Sequence, residues 1–176
     1  LGIGERSGNT PMELLLVNLN LLGWADRDLT KIPEYCKVIS EKCGATIPFN
    51  YPVVGADSFR TATGVHAAAI AKADTMDDAW LAERVYCGVP ASMVGREHTI
   101  EIGPMAGEHN VRFFLRKHGI EEHPVYVEKI LAAAKRSNRL LSEDDVRHMV
   151  RVLRERLNAG GQVEDSELDA AFKAKA

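Results

Sequence analysis

Leu1-Gly2-Ile3-Gly4-Glu5-Arg6-Ser7-Gly8-Asn9-Thr10-Pro11 is the stretch whose reading decides the rest of the chain. Its glycines permit a tightly turned backbone with positive φ. Glu5 and Arg6 place opposite charges inside that turn, and Thr10 followed by Pro11 predicts an N-cap with a first-turn proline. The segment therefore reads as a strand end, a glycine turn and a helix start. No Met precedes it, so the chain is expected to begin within a larger architecture. A glycine turn that feeds a helix N-terminus can receive an anionic group, although most such turns only connect elements.

Working outward, hydrophobic periodicity predicts helices almost throughout. Pro11 to Leu22 is strongly apolar and closes at Gly23, a residue suited to the left-handed stop of a helix. Its apolarity on most sides implies packing between neighbours. From about Leu29 to Cys43, Ile32, Tyr35, Cys36, Ile39 and Cys43 share one face, and Gly44 ends the run. Pro48 and Pro52 break the pattern, so residues 45–57 are expected to form an extended, partly buried connection. A small-residue helix follows from Thr63 to about Ala73, and another from Thr75 to Tyr86 with Asp77 and Asp78 in its first turn. Strand signals are confined to Thr99-Ile100-Glu101-Ile102. Further helices are predicted over about Gly107 to His118, Pro124 to Ser137, Ser142 to Leu157 and Ser166 to Lys173. The second last of these opens on Ser142 with acids behind it, in the manner of a capped N-terminus. The tail from Asn158, with Gly160-Gly161 and alternating charges, is expected to be loosely attached.

Composition narrows the function classes. With 176 residues the chain can hold one ordinary domain or two small ones, but not a (β/α)₈ barrel of about 250 residues. A net charge of −3, with basic residues interleaved among acids, gives no electrostatic case for nucleic acid. No apolar run approaches the roughly 20 residues of a membrane span, and Met12 to Leu22 is broken by Glu13, Asn18 and Asn20. The 3 cysteines, Cys36, Cys43 and Cys87, are odd in number and lack CxxC spacing. They read as reduced core thiols of a cytoplasmic protein.

Three ordered segments carry a resemblance. The run Gly-x-Gly-Glu-Arg-x-Gly-Asn over residues 2–9 resembles the end of a late barrel strand in the DRE-TIM metallolyases that condense acetyl-CoA with 2-oxo acids, the 2-isopropylmalate, homocitrate and citramalate synthases. Thr63-Gly64-Val65-His66-Ala67-Ala68-Ala69-Ile70 is similar to that family's Ser-Gly-x-His-x-x-Ala-Ile helix start. Pro90 to Arg96, followed by Gly103-Pro104-Met105-Ala106-Gly107-Glu108-His109-Asn110-Val111, is the third match. The resemblance covers roughly residues 1–117 and is to the C-terminal part of a 2-isopropylmalate synthase-like enzyme. It implies a mainly α chain with one or two short strands: the last loop and helices of a TIM barrel (1–44), a linker subdomain carrying the Thr-Gly-Val-His motif (45–117) and a helical C-terminal subdomain (118–176). No β-rich stretch like the leucine-binding regulatory domain of true 2-isopropylmalate synthases follows residue 117.

The same resemblance assigns roles. His66 matches the histidine that reaches the barrel of the partner subunit, where the methyl group of acetyl-CoA must lose a proton to become an enolate, a task suited to an imidazole near neutrality. The other reading of His66 is a side chain that caps or packs at a helix end. Glu5 could orient substrate or take part in proton transfer, and Arg6 could neutralise a substrate carboxylate bidentately, with Gly4 in the same turn. The alternative for Glu5 and Arg6 is a structural ion pair holding the turn. Leu1 departs from the Asn that many relatives carry there, and this blurs the branch. His98 and Tyr86 lie near the point where some relatives place a tyrosine that helps the histidine; either could bind substrate through a water or a proton relay, and packing is the rival role. The family's divalent metal (Mg, Mn or Zn) is bound through Asp-Arg-Glu and His-x-His motifs, neither of which occurs in this chain, and His109, His118, His123 and His148 show no ligand spacing. The expected partners are acetyl-CoA and a 2-oxo acid in the intact enzyme and a second copy in a homodimer. The chain alone is expected to be inactive. A helical dimerisation module without a catalytic role is the rival reading.

Overall fold

The computed structural model describes residues 1–76, 78–161 and 168. In chain order the elements are α1 (Met12–Leu21), α2 (Ile32–Cys43), β1 (Arg60–Thr61), α3 (Gly64–Thr75), α4 (Ala79–Arg84), β2 (Thr99–Ile100), α5 (Glu108–Lys117), α6 (Pro124–Arg136) and α7 (Glu143–Asn158), with a short 3₁₀ turn over Ser92–Val94. The chain is thus mainly helical with two short strands, as its periodicity predicts. It divides into two compact units, one made of 1–60 and 76–99, the other of 61–75 and 100–176.

The first unit gathers Val17, Leu29, Ile32, Cys36, Val53 and Val94 into its core. In α2, Pro33 occupies the first turn, where its missing N–H costs nothing, and Gly44 closes the helix in the left-handed conformation at φ 65°. Only part of the expected apolar face is covered: Cys36 is buried, whereas Cys43 is exposed and Cys87 half-buried. Tyr35 likewise faces solvent. The reason is local, because α2 meets the core through Ile32 and Cys36, one turn apart, and the helix ends beyond that contact. Residues 45–48 form no helix or turn, but 49–57 are not the extended connection expected. They coil through successive turns, with Gly55 N–H donating to the Tyr51 carbonyl at 2.9 Å and Asp57 N–H to that of Phe49 at 2.9 Å. Each proline here starts a turn instead of prolonging a strand.

The second unit has the larger closed core. Val111, Leu115, Ile130, Ala134, Val146, Met149 and Leu153 interdigitate between α5, α6 and α7. Ser142 caps α7 as expected, accepting the Asp145 N–H, and Asp145 completes the capping box in return. Leu168, helical and buried, joins this core. The rest of the helix predicted over Ser166 to Lys173 lies outside the described residues, as does the tail beyond Gly161 apart from Leu168.

Three local expectations need correction. The N-cap of α1 is Pro11 with no side-chain cap, so Thr10 does not cap it. Helix α3 runs on to Thr75, and α4 is shorter than predicted because Asp78, placed by sequence in the first turn, is instead the cap and accepts the Leu81 N–H at 2.9 Å. Asp77 lies outside the described residues. The predicted strand over 99–102 holds only Thr99–Ile100, paired with β1. Thr99 N–H donates to the Phe59 carbonyl and Glu101 N–H to the Thr61 carbonyl, each at 2.8 Å. This even spacing is that of a parallel pair.

Candidate active site

The glycine turn is built as its composition demands. Gly8 sits at φ 91°, and a Cβ there would lie 2.6 Å from the Gly2 carbonyl oxygen, so only glycine closes this loop. Asn9 does the holding: its N–H donates to the Gly2 carbonyl at 2.8 Å and its Nδ2 to the Ile3 carbonyl at 2.8 Å. Gly4, Glu5 and Arg6 are exposed at the tip. Among the described residues neither Glu5 nor Arg6 has an ion-pair partner, and the turn does not depend on a bond between them.

Beneath that turn lies a group that sequence reasoning passed over. Glu13 is fully buried; its Oε2 accepts from the backbone nitrogen of Leu1 at 2.6 Å and its Oε1 from the Tyr51 hydroxyl at 2.7 Å. Burial and the Glu13 carboxylate push the Tyr51 phenol up to about 12. Burial, with Glu13 nearby, pushes the Cys36 thiol up to about 11, which leaves it an unreactive core residue. The signal in the sequence was a lone carboxylate inside the apolar run of α1.

In the second unit, His66 is the third residue of α3 and half-buried. The start of that helix is fixed by backbone: Gly64 N–H donates to the Met105 carbonyl at 2.9 Å. A Cβ on Gly64 would come within 2.8 Å of the Gly107 nitrogen, so the close approach requires glycine. Thr61 Oγ1 stands 3.4 Å from His66 Nδ1. Asn110, fully buried, ties the neighbouring segment together, accepting the Gly107 N–H at 3.0 Å and donating to the Glu101 carbonyl at 2.8 Å. It too was missed, although Gly107-x-x-Asn110 is legible as a glycine-capped helix start.

His98 and Tyr86 belong to the first unit. His98 Nε2 lies 3.3 Å from the Glu83 carbonyl, and its ring meets Phe59 edge-on at 5.9 Å. Tyr86 is 62% exposed at φ 64°, an unusual conformation for a bulky residue. Arg96, unassigned by sequence, donates from Nη1 to the Val53 carbonyl at 3.1 Å and the Gly55 carbonyl at 2.8 Å, and its guanidinium lies 5.4 Å from the centre of the Phe59 ring. Val53 and Phe59 are both left-handed, at φ 69° and 65°, so Arg96 clamps a strained loop. Among the described residues no hydrogen bond or ion pair joins Glu5 or Arg6 to Tyr86 or His98. No group of three or more His, Cys, Asp or Glu side chains among them converges on a possible cation, so the divalent metal that the resemblance implies has no fitting ligand set here.

The sequence of this chain has relatives among curated synthases. The chain is 30% identical over 154 residues to the homocitrate synthase of Pyrococcus horikoshii, a match covering 87% of this chain and 40% of that protein. It is 26% identical over 164 residues to homocitrate synthase AksA of Methanosarcina mazei, covering 90% and 38%. With the (R)-citramalate synthase of Aquifex aeolicus it shares 32% over 127 residues, covering 70% and 22%. No protein-family model matches the chain. These homocitrate and citramalate synthases belong to the DRE-TIM family, and the chain is similar to them at about 30% identity over most of its length. The chain spans about 40% or less of the length of these curated relatives. Among the described residues no helix is long and apolar enough to cross a membrane.

Proposed function

We propose that this chain is the C-terminal portion of an acyltransferase that condenses acetyl-CoA with a 2-oxo acid, and that its catalytic contribution is His66. On this reading residues 1–44 are the last barrel loop and helices, 45–117 the linker subdomain, and 118–176 a helical C-terminal subdomain, the chain as a whole contributing to a homodimer. The observation that carries it is the coincidence of two things: similarity to homocitrate and citramalate synthases over most of the chain, and the backbone fixation of His66 at the start of α3.

The chemistry follows from the residue types. The imidazole takes a proton from the methyl group of acetyl-CoA. The C–H electron pair becomes the enolate, which attacks the carbonyl carbon of the 2-oxo acid, and the carbonyl π pair moves onto oxygen. Arg6, exposed and without an ion-pair partner among the described residues, receives the substrate carboxylate in a bidentate fork. Glu5 beside it orients substrate or relays a proton, and Gly4 lets the backbone approach. Tyr86, exposed, is accessible to a ligand, and His98 holds the α4 end that carries it. The cation that would polarise the 2-oxo acid belongs to residues outside this chain.

Complementation tests the reading. Added to a separately produced remainder of the synthase, this chain should restore turnover, and His66→Ala should not. Association without turnover would leave a helical dimerisation module as the function.

A further inference from the structure

We propose that Thr61 is a positioning residue for His66: its Oγ1 accepts the imidazole Nδ1–H and thereby keeps the basic lone pair on Nε2. This rests on the reading of His66 as a base, but its first test does not use turnover.

Two separate anchors set the pair. Thr61 ends β1, and its carbonyl accepts the Glu101 N–H at 2.8 Å. His66 rides on a helix start tied to the Met105 carbonyl through Gly64. Both anchors belong to one run, residues 101–107, whose conformation Asn110 fixes at both ends by bonding the Glu101 carbonyl and the Gly107 N–H. Ile102 and Ala106 bury this run in the core of the second unit. That run thus holds the backbones of Thr61 and His66 side by side, and in this setting Thr61 Oγ1 lies 3.4 Å from His66 Nδ1. Hydrogen bonds in a site without its substrate are commonly long and tighten when the complex forms.

A neutral imidazole carries one proton, and the partner of one nitrogen decides which nitrogen holds it. A hydroxyl can either donate or accept. If it donates to Nδ1, the ring proton sits on Nε2 and that nitrogen cannot take a proton from a methyl group. If it accepts from Nδ1, Nε2 is left as the base. With Nδ1 engaged by Thr61, proton abstraction by His66 requires the second arrangement.

The test begins with the tautomer of His66 in the chain itself, read from ring carbon and nitrogen chemical shifts under alkaline conditions where the ring is neutral. Wild type should show Nδ1–H. Thr61→Val should move the population towards Nε2–H, and Thr61→Ser should keep it on Nδ1. A wild-type ring protonated on Nε2, or a population that ignores Thr61→Val, overturns the proposal. In the intact enzyme, Thr61→Val should lower kcat about ten- to a hundredfold, the scale for losing a group that orients a functional histidine. Its KM for the 2-oxo acid should stay nearly constant and Thr61→Ser should recover most of the rate. If the tautomer responds as described while His66→Ala leaves turnover intact, the hydrogen bond stands and the assignment of His66 as the base is what fails.

Discussion

The two units solve the burial problem differently. The second closes a core of α5, α6 and α7, and its buried Asn110 and Asp145 side chains are hydrogen-bonded to neighbours within the unit. The first has a smaller core and leaves Met12, Leu15, Leu22, Phe49 and Trp80 exposed, with Trp24 77% exposed. It also holds all of the left-handed non-glycine residues found among the described ones, Val53, Phe59 and Tyr86, and a buried carboxylate under its glycine turn. Exposed apolar surface and strained backbone on this scale accompany contact surfaces and functional loops rather than self-sufficient folds. The contrast puts the larger closed core in the second unit and most of the exposed large apolar side chains in the first.

The largest expected effect falls in the second core. Leu153, fully buried, should cost about 2–5 kcal/mol when changed to Ala, measured by denaturant unfolding. A cost near zero would mean that α7 is not integral to this unit.

A smaller and pH-dependent effect is expected at Asp145. Burial pushes its carboxyl up, but bonds from Arg139 at 2.7 Å and from Ser142 outweigh this and bring it down to about 2. The folded carboxyl thus holds its proton less tightly than an unfolded aspartate. Its contribution, about 2 kcal/mol, is complete above about pH 4 and lost as the pH falls through about 2. The difference in unfolding free energy between wild type and Asp145→Asn should shrink across that window. A difference that stays constant with pH would show that the carboxyl is not the source.

The smallest effect on folding is expected on α1. Leu15→Ser should change unfolding free energy by no more than about 0.5 kcal/mol, yet it should weaken self-association, measured by light scattering. A large loss of stability with unchanged association would reverse the contrast between the units.

Much of this was legible from the chain, for identifiable reasons. The helices with one clear apolar stripe, α5, α6 and α7, appear within a residue or so of their predicted ends because periodicity and caps act within the element itself. Gly8 and Gly64 were legible as turn and helix-start residues because their constraint is local backbone. What periodicity could not show was which stripe finds a partner: Cys36 and Cys43 look equivalent in sequence, and only one is covered. Arg96 and Glu13 were missed because their partners come from distant segments, the carbonyls of Val53 and Gly55 for Arg96 and the phenol of Tyr51 for Glu13. Thr61 lies only five residues before His66, but it sits on a strand ahead of the helix and no helical spacing marks it as a neighbour.

Mixed dimers test the central claim most directly. A subunit carrying His66→Ala should lose about 10²–10⁴ in turnover, the usual worth of a positioned general base. Pairing it with a subunit inactivated in the barrel should restore part of that turnover, because the histidine of the second subunit would serve the barrel of the first. Retained turnover in His66→Ala alone, with a lowered melting temperature, would show instead that His66 is a structural residue of the α3 start.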